Sequence, residues 1–169
     1  MLWLTRQVKG AAVDEQPRWL DEEEQQTWLA MVSMFIRVPA ALDTQLQRDA
    51  GISHFEYQVL AGLSMAPDRT LRMSDLAQFA EGSLSRLSHT TSRLMKKGWL
   101  RRKPDPQDGR CTLATLTDAG WEKVVQTAPG HVDEVRRVFV EALTKTQQGQ
   151  LREIARRINS AIENSEESR

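Results

Sequence analysis

Residues 83–117, SLSRLSHTTSRLMKKGWLRRKPDPQDGRCTLATLT, decide how this chain is read. Ser83 is a good N-cap and Gly98 a good terminator, so the stretch between them reads as one helix running to Lys97. At about 100° per residue, Leu84, Leu87, Thr91, Leu94 and Met95 fall on one side. Ser85, Arg86, His89, Ser92, Arg93 and Lys96 fall on the other, with no acid among them. A solvated helix face ordinarily mixes both signs and pairs them at i, i+4. Beyond Gly98, Trp99–Lys103 and Arg110–Leu116 read as two strands joined by a Pro/Asp/Gly turn, a β-hairpin.

Working upstream, Ser74–Ala80 reads as a short helix with Leu76, Ala77 and Ala80 facing inward. The glycine-containing turn "EGS" separates it from the helix at Ser83. Helix, short turn, helix is the helix-turn-helix pattern, and a basic hairpin after it makes the winged form. Before it, Ser53 and Glu56 form a capping box for a helix whose buried face is Phe55, Val59, Leu60 and Leu63. "APDRT" reads as a turn and "TLRM" as one edge strand. The winged helix-turn-helix domain is thus expected at 53–116.

Apolar helices flank that domain. Residues 20–50 open with the acids of "DEEEQQTW", suited to a helix N-terminus. They continue with Trp28, Met31, Val32, Phe35, Ile36, Leu42 and Leu46, and Pro39 is expected to bend this helix without ending it. Downstream, residues 117–164 begin with Thr117 as a cap. Trp121, Val124, Val125, Val132, Val135, Phe139 and Leu143 follow, with a kink or break expected at Pro129–Gly130. A second capping box, Thr144 with Gln147, opens a last helix striped by Leu151, Ile154, Ala155, Ile158, Ala161 and Ile162. These flanks carry more apolar face than the small central domain can cover, which calls for a symmetric dimer. The expected fold class is mainly α with a small β-hairpin wing, the winged unit bracketed by N- and C-terminal dimerisation helices. Residues 1–19 are expected to form a flexible tail.

Charge supports a polyanionic partner. The chain has 23 Lys+Arg and 23 Asp+Glu, a net charge of zero. From Ser83 to Arg110, however, eight bases face two acids, so this segment is +6 and the rest is −6. A local basic stripe on a neutral protein is an electrostatic footprint for a polyanion. The single cysteine, Cys111, excludes an internal disulfide framework and fits a reducing cytoplasm. No apolar run approaches the length of a membrane span, and no membrane partner is expected. His54, His89 and His131 are scattered without ligand spacing, so no metal site is expected. Neither paired carboxylates, a nucleophile–base arrangement nor a phosphate loop stands out, so neither enzymatic activity nor a cofactor is expected.

At this point the chain resembles the MarR family of bacterial transcriptional regulators over roughly residues 20–164. The resemblance rests on "FEYQVLAGLS", "RMSDLAQFA", "SLSRLSHTTSRLMKKGWLRR", "DPQDGR" and "LTDAGW", in that order and spacing. It implies a homodimer formed by the first, fifth and sixth helices, with a recognition helix in each major groove of a pseudo-palindromic double-stranded DNA operator. It also implies a wing reaching the adjacent minor groove, and a repressor or, less often, an activator. A small aromatic or apolar effector is implied between the winged domain and the dimerisation helices. The family's wing usually carries an Asp, a base and an Arg in succession; here Asp108 and Arg110 match, and Gly109 replaces the middle base.

The candidate DNA contacts are therefore Ser83, Ser85, Arg86, His89, Thr90, Arg93, Asp108 and Arg110. Arg reads guanine by a bidentate contact, the serines suit phosphate, and a wing-tip Arg110 suits a narrow A·T-rich minor groove, with Asp108 orienting it. Lys96 and Lys97 lie in the last helical turn, where the helix dipole alone can account for them. Trp28, Phe35, Phe55, Tyr57 and Trp121 are candidates for the effector pocket, against a plainer reading as core. Cys111 invites a redox role, but a reactive thiol needs a depressed pKa and access, and the nearby Arg110 helps only weakly. The competing reading from another class is a winged-helix protein-interaction module, which calls for an acidic or apolar recognition helix instead.

Overall fold

A computed structural model describes residues 18–167. The expected tail therefore lies outside the described residues up to residue 17. The chain divides into two compact units between residues 40 and 41.

The first unit holds most of α1 (Glu22–Ala50), a single helix that continues through Pro39. Its start is a reciprocal cap not anticipated from sequence: Glu24 N–H donates to Asp21 Oδ1 at 2.8 Å, and Asp21 N–H donates to Glu24 Oε2 at 3.0 Å. Trp28, Leu29, Phe35 and Ile36 are exposed, Phe35 by 61%. By length and composition alone α1 could cross a membrane, with mean hydropathy 1.2 over its most apolar 18 residues. The expectation that no apolar run approaches a span is thus corrected for α1, within which Arg37 and Pro39 lie.

The second unit begins with the last turns of α1, which bury Leu42, Gln45 and Leu46 and end at Gly51, whose φ of +64° suits a residue without a Cβ. Next comes α2 (His54–Met65), closed at its start by the expected box: Glu56 N–H donates to Ser53 Oγ and Ser53 N–H donates to Glu56 Oε2. A short 3₁₀ turn (Pro67–Arg69) leads into β1 (Thr70–Arg72), then α3 (Met73–Phe79), α4 (Leu84–Lys96), β2 (Leu100–Pro104) and β3 (Thr112–Leu116). The sheet is antiparallel with order β1–β3–β2, so β1 is the expected edge strand. The core joins Phe55, Val59, Leu60 and Leu63 of α2 to Leu76, Ala77 and Ala80 near α3, to Leu87 and Leu94 of α4, and to Leu100, Ala114 and Leu116 of the sheet. Two residues assigned to the inner side of α4 are not in it: Leu84 is 58% exposed and Met95 is also exposed. They lie at the rims of the stripe, where the core no longer reaches.

Close approach fixes how α5 (Asp118–Val135) leaves the sheet. Thr117 Oγ1 accepts from Gly120 N–H, and its hydroxyl donates to Gly98 O. A Cβ on Gly120 would collide with the Trp99 carbonyl, so only glycine fits this crossing. α5 runs unbroken through Pro129–Gly130, where a kink or a break was expected. The irregularity falls later, in a π-helical turn at Arg136–Val140 where Glu141 N–H donates to Arg136 O. α6 (Lys145–Glu167) starts at the expected box, with Thr144 N–H donating to the Gln147 side-chain oxygen and Gln147 N–H to Thr144 Oγ1. Ile154, Ile158 and Ile162 of its stripe are exposed.

Candidate nucleic-acid interface

α3, the turn at Ala80–Gly82 and α4 form the expected helix-turn-helix, and β2 and β3 with their connection form the wing. Ser83 Oγ accepts from Arg86 N–H and so caps α4, whose first turn carries no acid. Backbone N–H groups and the positive end of the helix dipole are therefore open to an anion there. Ser85, Arg86, His89 and Arg93 all lie on the exposed side of α4. Thr90 does not: at 2% exposure it is core, and its hydroxyl accepts from Arg93 Nη2 at 3.4 Å. Three residues after Leu87 and four before Leu94, it belongs to the buried stripe, and it is withdrawn from the contact set.

Two of the exposed arginines are held by α2. The Arg86 guanidinium lies 4.0 Å above the centre of the Phe55 ring. Arg93 Nε donates to Glu56 Oε1 at 3.3 Å.

The wing is braced from beneath. Period-two alternation puts Arg102 on the same face of β2 as buried Leu100, and it reaches α4, with Nη1 donating to Thr91 Oγ1 at 3.4 Å and Nη2 to Ser92 Oγ at 3.3 Å. Arg102 thus ties the wing to the recognition helix, while Arg101 and Lys103 stay exposed. At the base of the connection, the nearly buried Asp105 accepts from Arg72 Nε at 3.0 Å and from Gln107 N–H at 2.9 Å. The Gln107 N–H above all, and then Arg72, hold its carboxyl below the usual range. Nearer the tip, Asp108 Oδ1 accepts from the backbone N–H of Arg110 at 3.1 Å, so Asp108 shapes the loop that presents Arg110. Asp108 also accepts from the Cys111 thiol at 3.5 Å. That hydrogen bond first, and burial second, push the thiol's pKa up, which disfavours the reactive thiolate.

Of the aromatic candidates in the second unit, each has a different neighbour. Phe55 is core, Tyr57 packs against the His131 ring at 4.5 Å, and Trp121 is partly exposed beneath the Arg69 guanidinium at 4.3 Å. Trp28 and Phe35 lie on the exposed stretch of α1. A cleft of about 350 Å³ is lined by other residues, among them Met73, Leu84, Ser88, Arg102 and Arg110. Among the described residues no group of three or more His, Cys, Asp or Glu could hold a metal. Sequence reasoning missed Arg72 entirely, saw Glu56 only as half of a capping box, and counted Arg102 simply as one base of the stripe; only the alternation in β2 pointed to its inward face.

A helix-turn-helix with an exposed, acid-free second helix and a braced basic wing defines the winged helix-turn-helix class. The MarR family model matches residues 52–112. Among solved structures, Sco3205, a MarR family transcriptional regulator from Streptomyces coelicolor crystallised in complex with DNA, superposes with a TM-score of 0.82. It is 46% identical, over 86% of this chain and 91% of that one. AbsC, another MarR family regulator from S. coelicolor, has a TM-score of 0.82 and 32% identity, over 88% and 99% of the two chains. The transcriptional repressor MprA of Escherichia coli K12 is 25% identical over 69% of this chain and 66% of its own. The matched stretch spans just under two-thirds of the first curated relatives, 65% and 66% of their lengths. This chain belongs to the MarR family of transcriptional regulators.

Proposed function

We propose that the chain is a homodimeric, cytoplasmic, sequence-specific DNA-binding repressor whose affinity for its operator is set by a small-molecule effector. The observation that carries this reading is the pairing of the exposed, acid-free face of α4 with a wing whose loop presents Arg110. The relative sharing this fold at 46% identity was crystallised with DNA. In this reading Arg86, His89 and Arg93 meet base edges or phosphates in the major groove, Ser83 and Ser85 meet phosphates, and Arg110, presented by Asp108, enters the minor groove. A protein-interaction module fits this surface less well, because the helix face is basic rather than acidic or apolar.

The dimer rests on the exposed apolar faces of α1 and α6, whose burial against a second copy removes Phe35, Ile154, Ile158 and Ile162 from water. The two recognition helices must then sit about 34–36 Å apart to enter successive major grooves. An effector acts by preferring a dimer with a different spacing.

The test is a fluorescence-anisotropy titration against DNA from upstream of the chain's own gene. Scrambled DNA and the Arg110→Ala variant are run beside it at two salt concentrations. Binding at least ~10³-fold tighter than to scrambled DNA, weakened by salt and by the variant, is the expected result. Absence of binding at low salt, where counterion release is most favourable, would overturn the reading.

A further inference from the structure

α2 contributes nothing to the exposed DNA face, yet its first turn touches two of the arginines on it. Glu56 is central. Its side chain is 9% exposed, and its two oxygens have different partners: Oε2 accepts from Ser53 N–H at 2.9 Å, and Oε1 accepts from Arg93 Nε at 3.3 Å. Thr90, itself buried, accepts from Nη2 of the same guanidinium. Guanidinium has five N–H donors in a fixed fork. The Glu56 and Thr90 contacts occupy one edge and leave Nη1 with the outer edge of Nη2 for a ligand. A side chain ordered before binding loses less entropy on binding. It also has fewer ways to satisfy itself on the wrong base. One residue earlier, Phe55 seats Arg86.

We infer that Glu56, at the first turn of α2, is a specificity-determining positioning residue: it orients Arg93 for one base contact and neutralises its charge against indiscriminate phosphate binding. The inference rests on the DNA-binding reading of α4 given above.

Glu56→Gln separates positioning from capping. Glutamine at this place still completes a capping box, but it has only one carbonyl oxygen. With that oxygen on Ser53 N–H, its amide N–H₂ faces Arg93 Nε, donor against donor, and the tether is lost. The experiment compares wild type, Glu56→Gln, Arg93→Ala and the double variant, all as full chains. The probes are the duplex that wild type selects from random-sequence DNA, its single-base substitutions and a scrambled duplex, with affinities measured across salt and melting followed in parallel.

Glu56→Gln is expected to lower the ratio of selected to scrambled affinity roughly tenfold and to flatten one base position. Scrambled DNA should bind more tightly, with the log–log salt slope steeper by about 0.9 for one added phosphate contact. The double variant should match Arg93→Ala. A lower melting temperature with unchanged discrimination and salt slope would make Glu56 a cap only and overturn the inference. So would an equal effect of Glu56→Gln when Arg93 is already alanine. Loss of all discrimination in wild type would instead overturn the DNA-binding reading itself.

Discussion

Leu87 and Ile158 hold the same place in a sequence pattern and opposite places in the molecule. Each sits on the apolar stripe of an amphipathic helix. Leu87 of α4 has no exposed surface, whereas Ile158 of α6 keeps 43% of its own. In the winged unit the cover comes from the same chain: α2, α3 and the sheet close over Leu87 and Leu94. Along α6, Ile154, Ile158 and Ile162 are left exposed by the residues described. An apolar stripe states that a face must be covered; it does not state by what.

The sharpest way to break this contrast is to truncate both residues. Leu87→Ala leaves a cavity inside one chain and is expected to cost about 2–5 kcal/mol, read by denaturant titration and independent of protein concentration. Gly120→Ala tests the same unit by overpacking. With the Trp99 carbonyl in the way, it should cost about 1–3 kcal/mol, and a variant as stable as wild type would refute the close approach of α5 to the sheet. Ile158→Ala should cost about 1 kcal/mol, but as weaker self-association in sedimentation equilibrium. Its melting temperature should depend on concentration more steeply than that of Leu87→Ala. If Ile158→Ala leaves self-association unchanged, α6 is not part of the dimer interface.

The smallest expected effect is on pH. Burial holds the half-buried His54 and His131 below their ordinary pKa of 6.5, and for His131 the neighbouring His54 adds to it. Asp43 beside His54 and Glu134 beside His131 oppose the shift without cancelling it. The unfolded chain therefore takes up these protons first as pH falls. Stability is full above about pH 6.5 and declines as pH drops through the lowered folded-state values. Melting temperature should fall across that range, and His131→Asn should flatten the profile. A profile that rises toward acid would contradict the assigned burial.

Much of the fold was legible in the sequence because it is set locally. The caps at Ser53, Ser83, Thr117 and Thr144 each join a side chain to a backbone group three residues away, and all four form. The edge strand at Thr70 and the hairpin followed from turn chemistry and alternation. Thr90 was legible too, by its spacing from Leu87 and Leu94. It was misassigned although Thr91 beside it was read as inward, because a threonine hydroxyl suits a DNA contact as well as a core position. The continuity of α5 through Pro129 was not legible, since proline chemistry alone leaves a break open as an outcome.

The sequence by itself determined the winged helix-turn-helix and the basic sign of its outer face, because periodicity, capping and charge are read within a turn or two of chain. Only the tertiary structure decided which bases face outward and which work inside. Arg72 reaches Asp105 across 33 residues, Arg93 reaches Glu56 across 37, and Arg102 reaches Thr91 across 11. Those partners are chosen by the packing of α2, α3 and the sheet around one core, and no local pattern encodes which distant carboxylate or hydroxyl a long cationic side chain will meet.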